Sequence, residues 1–330
     1  MRFHVIRSQN PAPAQSPFRM VEHETGREVG WVNRFLDREY VRRLADASLR
    51  SSAYGLLHFV RWGESLHHSG DVREGDLAES TLLDYLKFQC RHQPPFSSST
   101  INDRLAVADR ALRNQFPDAP EPTARGFQQA FRRRGPLGLG RRRLAMSRLR
   151  VRVPKRQLVP LSVEEVARFW SSFHTARDLA IVGLMLLQGL RSAEVLGLNE
   201  DDVLLSEAQL RVRGKGNKLR FLPLAPETVQ LLDHYRRLER PPVGTALFLS
   251  LKGPARGTRM TLAGLRSLFR YHRQRTGVQL ANPHRFRHTF ASDMVRGGIS
   301  LPALMQLMGH ADIQTTLRYV QITPQDVYLQ

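Results

Sequence analysis

Asn282-Pro283-His284-Arg285-Phe286-Arg287-His288-Thr289-Phe290-Ala291 is the stretch from which the rest of this 330-residue chain can be read. Asn before Pro is a helix start: the Asn side chain can take an orphan backbone N–H, and Pro is preorganised for the first helical position. Spacings of three and four then place His284, Arg287 and His288 on one helix face. Phe290, Ala291 and Met294 are available to anchor that helix in a core. Two imidazoles and a guanidinium on one face suit an anion, but such a segment gains its meaning only from its companions.

Four further segments supply them. In Leu307-Met308-Gly309-His310, Gly309 ends a helix and sets a histidine just past that end. Asp312 then caps a last helix bearing Thr315-Thr316-Leu317-Arg318-Tyr319. The apolar stripe of that helix is Ile313, Leu317 and Val320, and Tyr319 falls roughly 130° from its centre at about 100° per residue, off the face a structural tyrosine would occupy. Upstream, Gly189-Leu190-Arg191-Ser192-Ala193-Glu194-Val195 puts an Arg where the backbone turns, with Glu194 one helical turn on to brace it. Gly214-Lys215-Gly216-Asn217-Lys218 is a hairpin turn carrying Lys215 at its tip, between strands predicted at Gln209–Arg213 and Leu219–Leu222. It is not a P-loop, since the four-residue spacer and following Ser or Thr are missing. Leu247–Ser250 reads as a third strand. Ser162 followed by Glu165 is a capping box, and a helix is expected over Ala176–Gln188.

Ahead of these segments lies a different kind of sequence. From about Trp31 to Phe116 the apolar periodicity is helical, with breaks at Ser69–Gly70 and Pro94–Ser99, which gives four or five helices. Ser99 or Thr100 is the expected cap of the helix beginning near Ile101. The first thirty residues read as loosely structured, because Pro11, Pro13 and Pro17 interrupt any pattern. Between Phe131 and Arg156 stand eleven Arg or Lys residues and no acid. That run is either a solvated linker or a cationic strap along phosphates, with Arg132, Arg133, Arg134, Arg141, Arg142 and Arg143 as the DNA contacts. The expected organisation is therefore a flexible segment over 1–30, a helical domain over 31–130, a basic linker over 131–158 and a second domain over 159–330 that holds the five segments. The fold class is mainly α with a small antiparallel β-sheet, α+β.

Composition narrows the function classes. The formal charge is +20, with 28 basic against 16 acidic residues up to Arg156 and 22 against 14 beyond it. A polyanion that meets both halves, nucleic acid above all, is the natural partner. Only five of the fifty basic residues are Lys. Codon usage can explain Arg in place of Lys, but not the excess of base over acid. Cys90 is the single cysteine, so no intramolecular disulfide or Cys-based metal site is expected, in keeping with a reducing, cytoplasmic compartment. No signal peptide is read at the N-terminus, and the longest apolar run, Leu179–Leu190, is too short for a bilayer.

Taken together, the five segments resemble the tyrosine recombinase (phage integrase) family. The resemblance spans about Val159 to Ile322 and rests on Gly-Leu-Arg-x-x-Glu, the Gly-Lys-Gly-Asn-Lys hairpin, His-x-x-Arg-His-Thr, Leu-x-Gly-His, and a Tyr nine residues after that last His. Phe286 stands where Leu is commoner. The resemblance implies a helical core-binding domain joined to a catalytic domain, and a role for each residue. Arg191 and Arg287 would clamp the non-bridging oxygens of the scissile phosphate. Tyr319 would attack phosphorus to give a 3′-phosphotyrosine and a free 5′-hydroxyl. His284 is the candidate base, needed because a free Tyr ionises near pH 10. Lys215 would protonate the departing 5′-oxygen, and His310 would hydrogen-bond the phosphate. Arg285 and His288 are assigned structural parts. Because the phosphotyrosine preserves the bond energy, no cofactor and no metal is expected. The implied partners are double-stranded DNA, a homo-tetramer on paired sites, and an accessory DNA-bending or directionality protein.

Three rivals share some of these features. A type IB topoisomerase-like enzyme uses similar chemistry. A non-catalytic DNA-binding protein would share the charge, but would have no reason to hold two Arg, two His, a Lys and a Tyr in this arrangement. A metal-dependent nuclease would need a carboxylate cluster, and Asp201–Asp202 is the nearest approach.

Overall fold

The computed structural model describes residues 2–67, 79–116, 149–154, 159–214, 218–310 and 312–319. The chain divides into two compact units, Met1–Lys155 and Arg156–Gln330.

The first unit opens with a hairpin rather than loose chain. Strands β1 (Phe3–Arg7) and β2 (Phe18–Glu22) pair antiparallel, with Phe3 opposite Glu22 and Arg7 opposite Phe18. Pro11, Pro13 and Pro17 all lie in the connection between them. There they need no ladder N–H and do not disturb the pairing. Four helices follow: α1 (Gly30–Val41), α2 (Asp46–His67), α3 (Glu79–Cys90) and α4 (Ser98–Gln115). Phe3, Phe18 and Met20 of the hairpin are buried with Trp31, Phe35, Leu36, Leu56 and Leu112 in one core. The hairpin is fastened by polar groups as well. Arg19 is ion-paired to both Glu28 and Asp37, and the Asn33 side chain accepts from the Met20 N–H and donates to the Met20 carbonyl. The cap of α4 is Ser97, whose hydroxyl accepts from the Thr100 N–H at 3.1 Å, two residues before the expected Ser99.

In the second unit, α5 (Val163–Trp170) begins with the Ser162–Glu165 capping box, and α6 (Ala176–Leu186) is buried along most of its length. After α7 (Ser192–Gly197), strands β3 (Val203–Leu204), β4 (Gln209–Arg213) and β5 (Leu219–Pro223) form an antiparallel sheet in that order. The third strand is thus Val203–Leu204. Residues 247–250 instead run beside Met260, where Leu249 makes only an isolated bridge to Arg259. They are held by Tyr235, whose hydroxyl donates to the Leu247 carbonyl and accepts the Leu249 N–H. Helices α8 (Pro226–His234), α9 (Leu262–Thr276), α10 (Pro283–Arg296) and α11 (Leu301–Met308) complete the frame. The short α12 (Ile313–Thr316) runs into a 3₁₀ turn over Leu317–Tyr319. Phe169, Ile181, Met185, Leu190, Phe248, Phe269 and Phe286 share the main core. Phe290, Ala291, Leu304 and Met308 form a smaller one against which Tyr319 packs.

Gly189 joins α6 to the turn that bears Arg191. Its φ is +65°, and a Cβ there would lie 2.4 Å from Phe290 Cδ1 and 3.0 Å from Met308 Sδ. Both the left-handed backbone and the contact with α10 and α11 demand Gly. Gly189→Ala is expected to cost about 2–5 kcal/mol of stability, the sum of left-handed strain and overpacking. Denaturant unfolding of the variant checks this, and a change under about 1 kcal/mol would contradict it.

Candidate active site

The site is built round one carboxylate. Arg191 is the N-cap of α7, and Glu194, in the first turn, reaches back to accept the Arg191 backbone N–H on Oε2 at 2.8 Å. Local helix-start geometry thus fixes Glu194. Its Oε1 accepts from Arg191 Nη1 at 2.9 Å. Arg220, from β5, then meets the same carboxylate with two prongs, Nη1 to Oε1 and Nη2 to Oε2, each at 3.0 Å. Arg287 Nη1 lies 3.7 Å from Oε2. Burial alone would raise the pKa of Glu194, but the hydrogen bonds from Arg220 and from the Arg191 backbone outweigh it and hold the group below the ordinary carboxylate range. Three guanidinium groups therefore surround a single negative charge.

Arg287 projects inward from α10 and is only 4 % exposed. Its Nη1 donates to the Gly189 carbonyl, and its Nη2 donates to the Met308 carbonyl at 2.6 Å and to His310 Nε2 at 3.0 Å. Gly309 turns the chain out of α11 in the left-handed conformation, φ +60°, which delivers His310 to this point. His310 Nδ1 is 2.8 Å from the hydroxyl of Thr316, which is fully buried on α12. The ring of Tyr319, three residues later, lies parallel to His310 at 6.0 Å and tilted against His288 at 5.0 Å. The Gly-Leu-Arg turn, the His-x-x-Arg helix, the Leu-x-Gly-His turn and the tyrosine segment thus converge.

The structure places the expected site residues unequally. Arg191, Glu194, Arg287, His310 and Tyr319 come together. His284 is exposed, one turn before Arg287 on α10. Lys215 lies outside the described residues. Gly214, immediately before it, has its Cβ direction 3.8 Å from Glu194 Oε1, and its N–H donates to the Lys218 carbonyl at 2.8 Å. Arg132, Arg133, Arg134, Arg141, Arg142 and Arg143 also lie outside the described residues. Of the stripe expected on the last helix, Val320 lies outside the described residues, and the expectation is overturned at the other two positions. Ile313 and Leu317 are exposed, whereas Thr316 is buried and Tyr319 half-buried. One α-turn followed by a 3₁₀ turn does not keep a 100° wheel, and His310 and α10 decide which side is covered. Arg285 donates to the Val159 carbonyl. Arg220 and Thr316 were missed by the sequence reading. Arg220 is one of fifty cations in the chain and stands next to two apolar residues, with no local signal to separate it from the rest.

Comparison with known proteins places these features. The profile of the phage integrase family matches residues 160–326. The tyrosine recombinase XerD of Yersinia pestis is 28% identical over 300 residues, covering 88% of this chain and 92% of its own. The tyrosine recombinase XerC of Chromohalobacter salexigens is 33% identical over 227 residues, covering 60% of this chain and 74% of its own. Among solved structures, XerH site-specific recombinase bound to palindromic difH substrate, in a post-cleavage complex, aligns with a TM-score of 0.64 at 17% identity. That match covers 92% of this chain and 83% of the other. The Tn1549 transposon integrase in complex with transposon right-end DNA aligns with the same TM-score and identity, over 91% and 97%. At these identities the two structures establish likeness of fold.

The electrostatics of the cluster fix the state of His310. Burial, and then repulsion by Arg287, Arg191 and Arg220, pull its pKa down to about 4. The ring is therefore neutral near pH 7. A guanidinium can only donate, so Nε2 accepts from Arg287 and the ring proton sits on Nδ1, donating to Thr316 Oγ1. Arg287 itself is lowered to about 10 by burial and by Arg191, which leaves it charged. Because the unfolded value of His310 is near 6.5, the folded state's preference for a neutral ring is fully present above that pH. It is lost as pH falls toward about 4. His310 ring resonances are thus expected not to titrate between about pH 5.5 and 8 in an NMR series, while stability declines below about pH 6. A His310 midpoint near the free value would refute this electrostatic account.

Proposed function

The chain belongs to the phage integrase family, and from that premise we propose how its own residues cut and rejoin DNA. It is a tyrosine recombinase, an enzyme of site-specific DNA recombination whose partner is DNA. The observation that carries the assignment of residues is the charge of the cluster. Arg191, Arg220 and Arg287 share one carboxylate beside the Tyr319 ring, with His310 neutral, so the site is short of negative charge until an anion arrives. A DNA phosphodiester is such an anion.

In this reading Arg191 and Arg287 take the non-bridging oxygens of the scissile phosphate and stabilise the charge that builds on them in the pentacovalent transition state. Tyr319 Oη forms the new bond to phosphorus as the bond to the 5′-oxygen breaks. His284 removes the phenol proton, and Lys215 supplies one to the departing oxygen. A phenolate at Tyr319 is attracted by Arg287, an interaction visible in how Tyr319 favours the charged form of Arg287. The hydrogen bond from His310 to the phosphate requires its proton on Nε2, which breaks the contact with Arg287 Nη2 and turns that N–H to the phosphate as well. The Thr316 hydroxyl accommodates that tautomer by donating to Nδ1 instead of accepting from it. Rejoining is the reverse attack by a 5′-hydroxyl, so energy is conserved in the phosphotyrosine. Exchange between two duplexes requires several active sites at once, which we assign to a homo-tetramer on paired sites. For the domains we assign a DNA-binding unit in which the hairpin of residues 1–30 joins the helices of 31–130 in one core, and a catalytic domain over 159–330. The basic segment 131–158 is assigned to the DNA phosphates between them.

Tyr319→Phe is expected to abolish covalent attachment to nicked suicide duplexes in chelator-containing buffer while DNA affinity stays within about threefold. Loss of binding instead would make Tyr319 structural. Arg191→Ala is expected to slow cleavage by about 10²–10³-fold, the scale of losing one transition-state donor. Near-normal cleavage by that variant would remove Arg191 from the phosphate clamp.

A further inference from the structure

Glu194 can accept about four hydrogen bonds, two on each oxygen. All four are made: Arg191 Nη1 and Arg220 Nη1 on Oε1, and the Arg191 backbone N–H and Arg220 Nη2 on Oε2. Arg220 alone fills half of them. Arg287 Nη1, although only 3.7 Å from Oε2, makes no hydrogen bond there. It turns to the Gly189 carbonyl, and Nη2 turns to Met308 and His310.

Arg220 is itself fixed. Its Nε donates to the Leu307 carbonyl at 3.1 Å, so each of its three nitrogens is committed to a protein acceptor. Its side chain is 12% exposed and lies behind the Gly309 turn, where a Cβ would stand 2.8 Å from Nη1. Both of its terminal nitrogens are spent on Glu194, whereas those of Arg287 face two backbone carbonyls and His310.

We propose that Arg220 is a positioning residue that saturates the Glu194 carboxylate, so that Arg287 is held off it and stays beside His310 and the Tyr319 ring for the scissile phosphate. The inference rests on the recombinase reading of this site and deepens it. A carboxylate amid three guanidinium groups competes with any phosphate that enters. The two-pronged contact from Arg220 uses up that competing capacity, because a bidentate Arg–carboxylate pair is the strongest such contact. Without Arg220, two acceptor positions on Glu194 open within reach of Arg287. Arg287 then closes the gap onto Glu194 and leaves His310. A residue that served only to brace the β5 strand would have no such dependence on the charge of Glu194.

The test is a double-mutant cycle of Arg220→Gln and Glu194→Gln, read in two ways. Without substrate, a crystal structure of full-length Arg220→Gln is expected to show Arg287 Nη1 hydrogen-bonded to Glu194. Arg287 unmoved at its present separation overturns the proposal. With substrate, single-turnover cleavage of nicked duplexes from the sequence flanking its own gene is expected to fall about a hundredfold in Arg220→Gln. It should recover about tenfold when Glu194→Gln is added, a coupling of the size seen between groups in one network. A double variant no faster than Arg220→Gln overturns it as well. If thermal melting shows that Arg220→Gln does not fold, Arg220→Lys, which keeps the charge but offers one prong, carries the same cycle with the same sign. Wild type and Tyr319→Phe run alongside. No Tyr319-linked adduct from wild type would count against the recombinase assignments and leave the crystal structure to decide on Arg220. An adduct without recovery counts against Arg220 alone.

Discussion

The second unit depends on how one buried carboxylate is shared among three arginines. Glu194 is held from within its own helix start by the Arg191 backbone, from the sheet by Arg220, and at longer range from α10 by Arg287. Those elements lie far apart in sequence, and the charges bring them to one point. A buried charge without partners is costly, so each contact constrains the others. The same arrangement leaves positive charge uncompensated, which works against stability while the site is empty and in favour of binding an anion. Catalytic sites that stabilise developing negative charge are built this way, with donors already aimed and little to reorganise.

His310 shows how that field reaches beyond the arginines. Close to so much positive charge and buried, it stays neutral. Its tautomer is then dictated by partners on either side, Arg287 as obligate donor and Thr316 as adaptable hydroxyl. Thr316 and Tyr319 sit on consecutive turns of the last described segment, so the hydrogen bond that orients His310 also seats the tyrosine. Gly189 and Gly309 matter for a related reason. Each turns the chain in a left-handed conformation beside packed side chains, Phe290 at one and Arg220 at the other.

The first unit obeys different physics. Its helices are held by one apolar core, and the hairpin at its start is tied on by a compact polar network round Arg19 and Asn33. The prolines that make residues 1–30 read as loose chain lie in the connecting loop, where they are harmless. The alternation that would have announced two strands is only five residues long on each side. Pairing between segments separated by such a loop leaves little local trace.

What the sequence determined by itself was whatever depends on residues within a few positions of one another. The capping box at Ser162 and Glu165, the Asn282–Pro283 helix start, the Gly309 stop and the β4–β5 hairpin are of this kind, because hydrogen bonds to neighbouring backbone groups are set locally. The ordered series of Arg191, Glu194, Arg287, His310 and Tyr319 was legible too, through its resemblance to a known family. The tertiary structure alone decided which groups complete the site. Arg220 lies 26 residues from Glu194 and looks in sequence like any other strand cation. Thr316 borders the apolar stripe on an ideal helical wheel, and nothing near it in sequence marks its hydroxyl as the partner of His310. Burial is settled by what packs opposite a residue, and a buried charge takes its meaning from partners brought in by other elements of the fold.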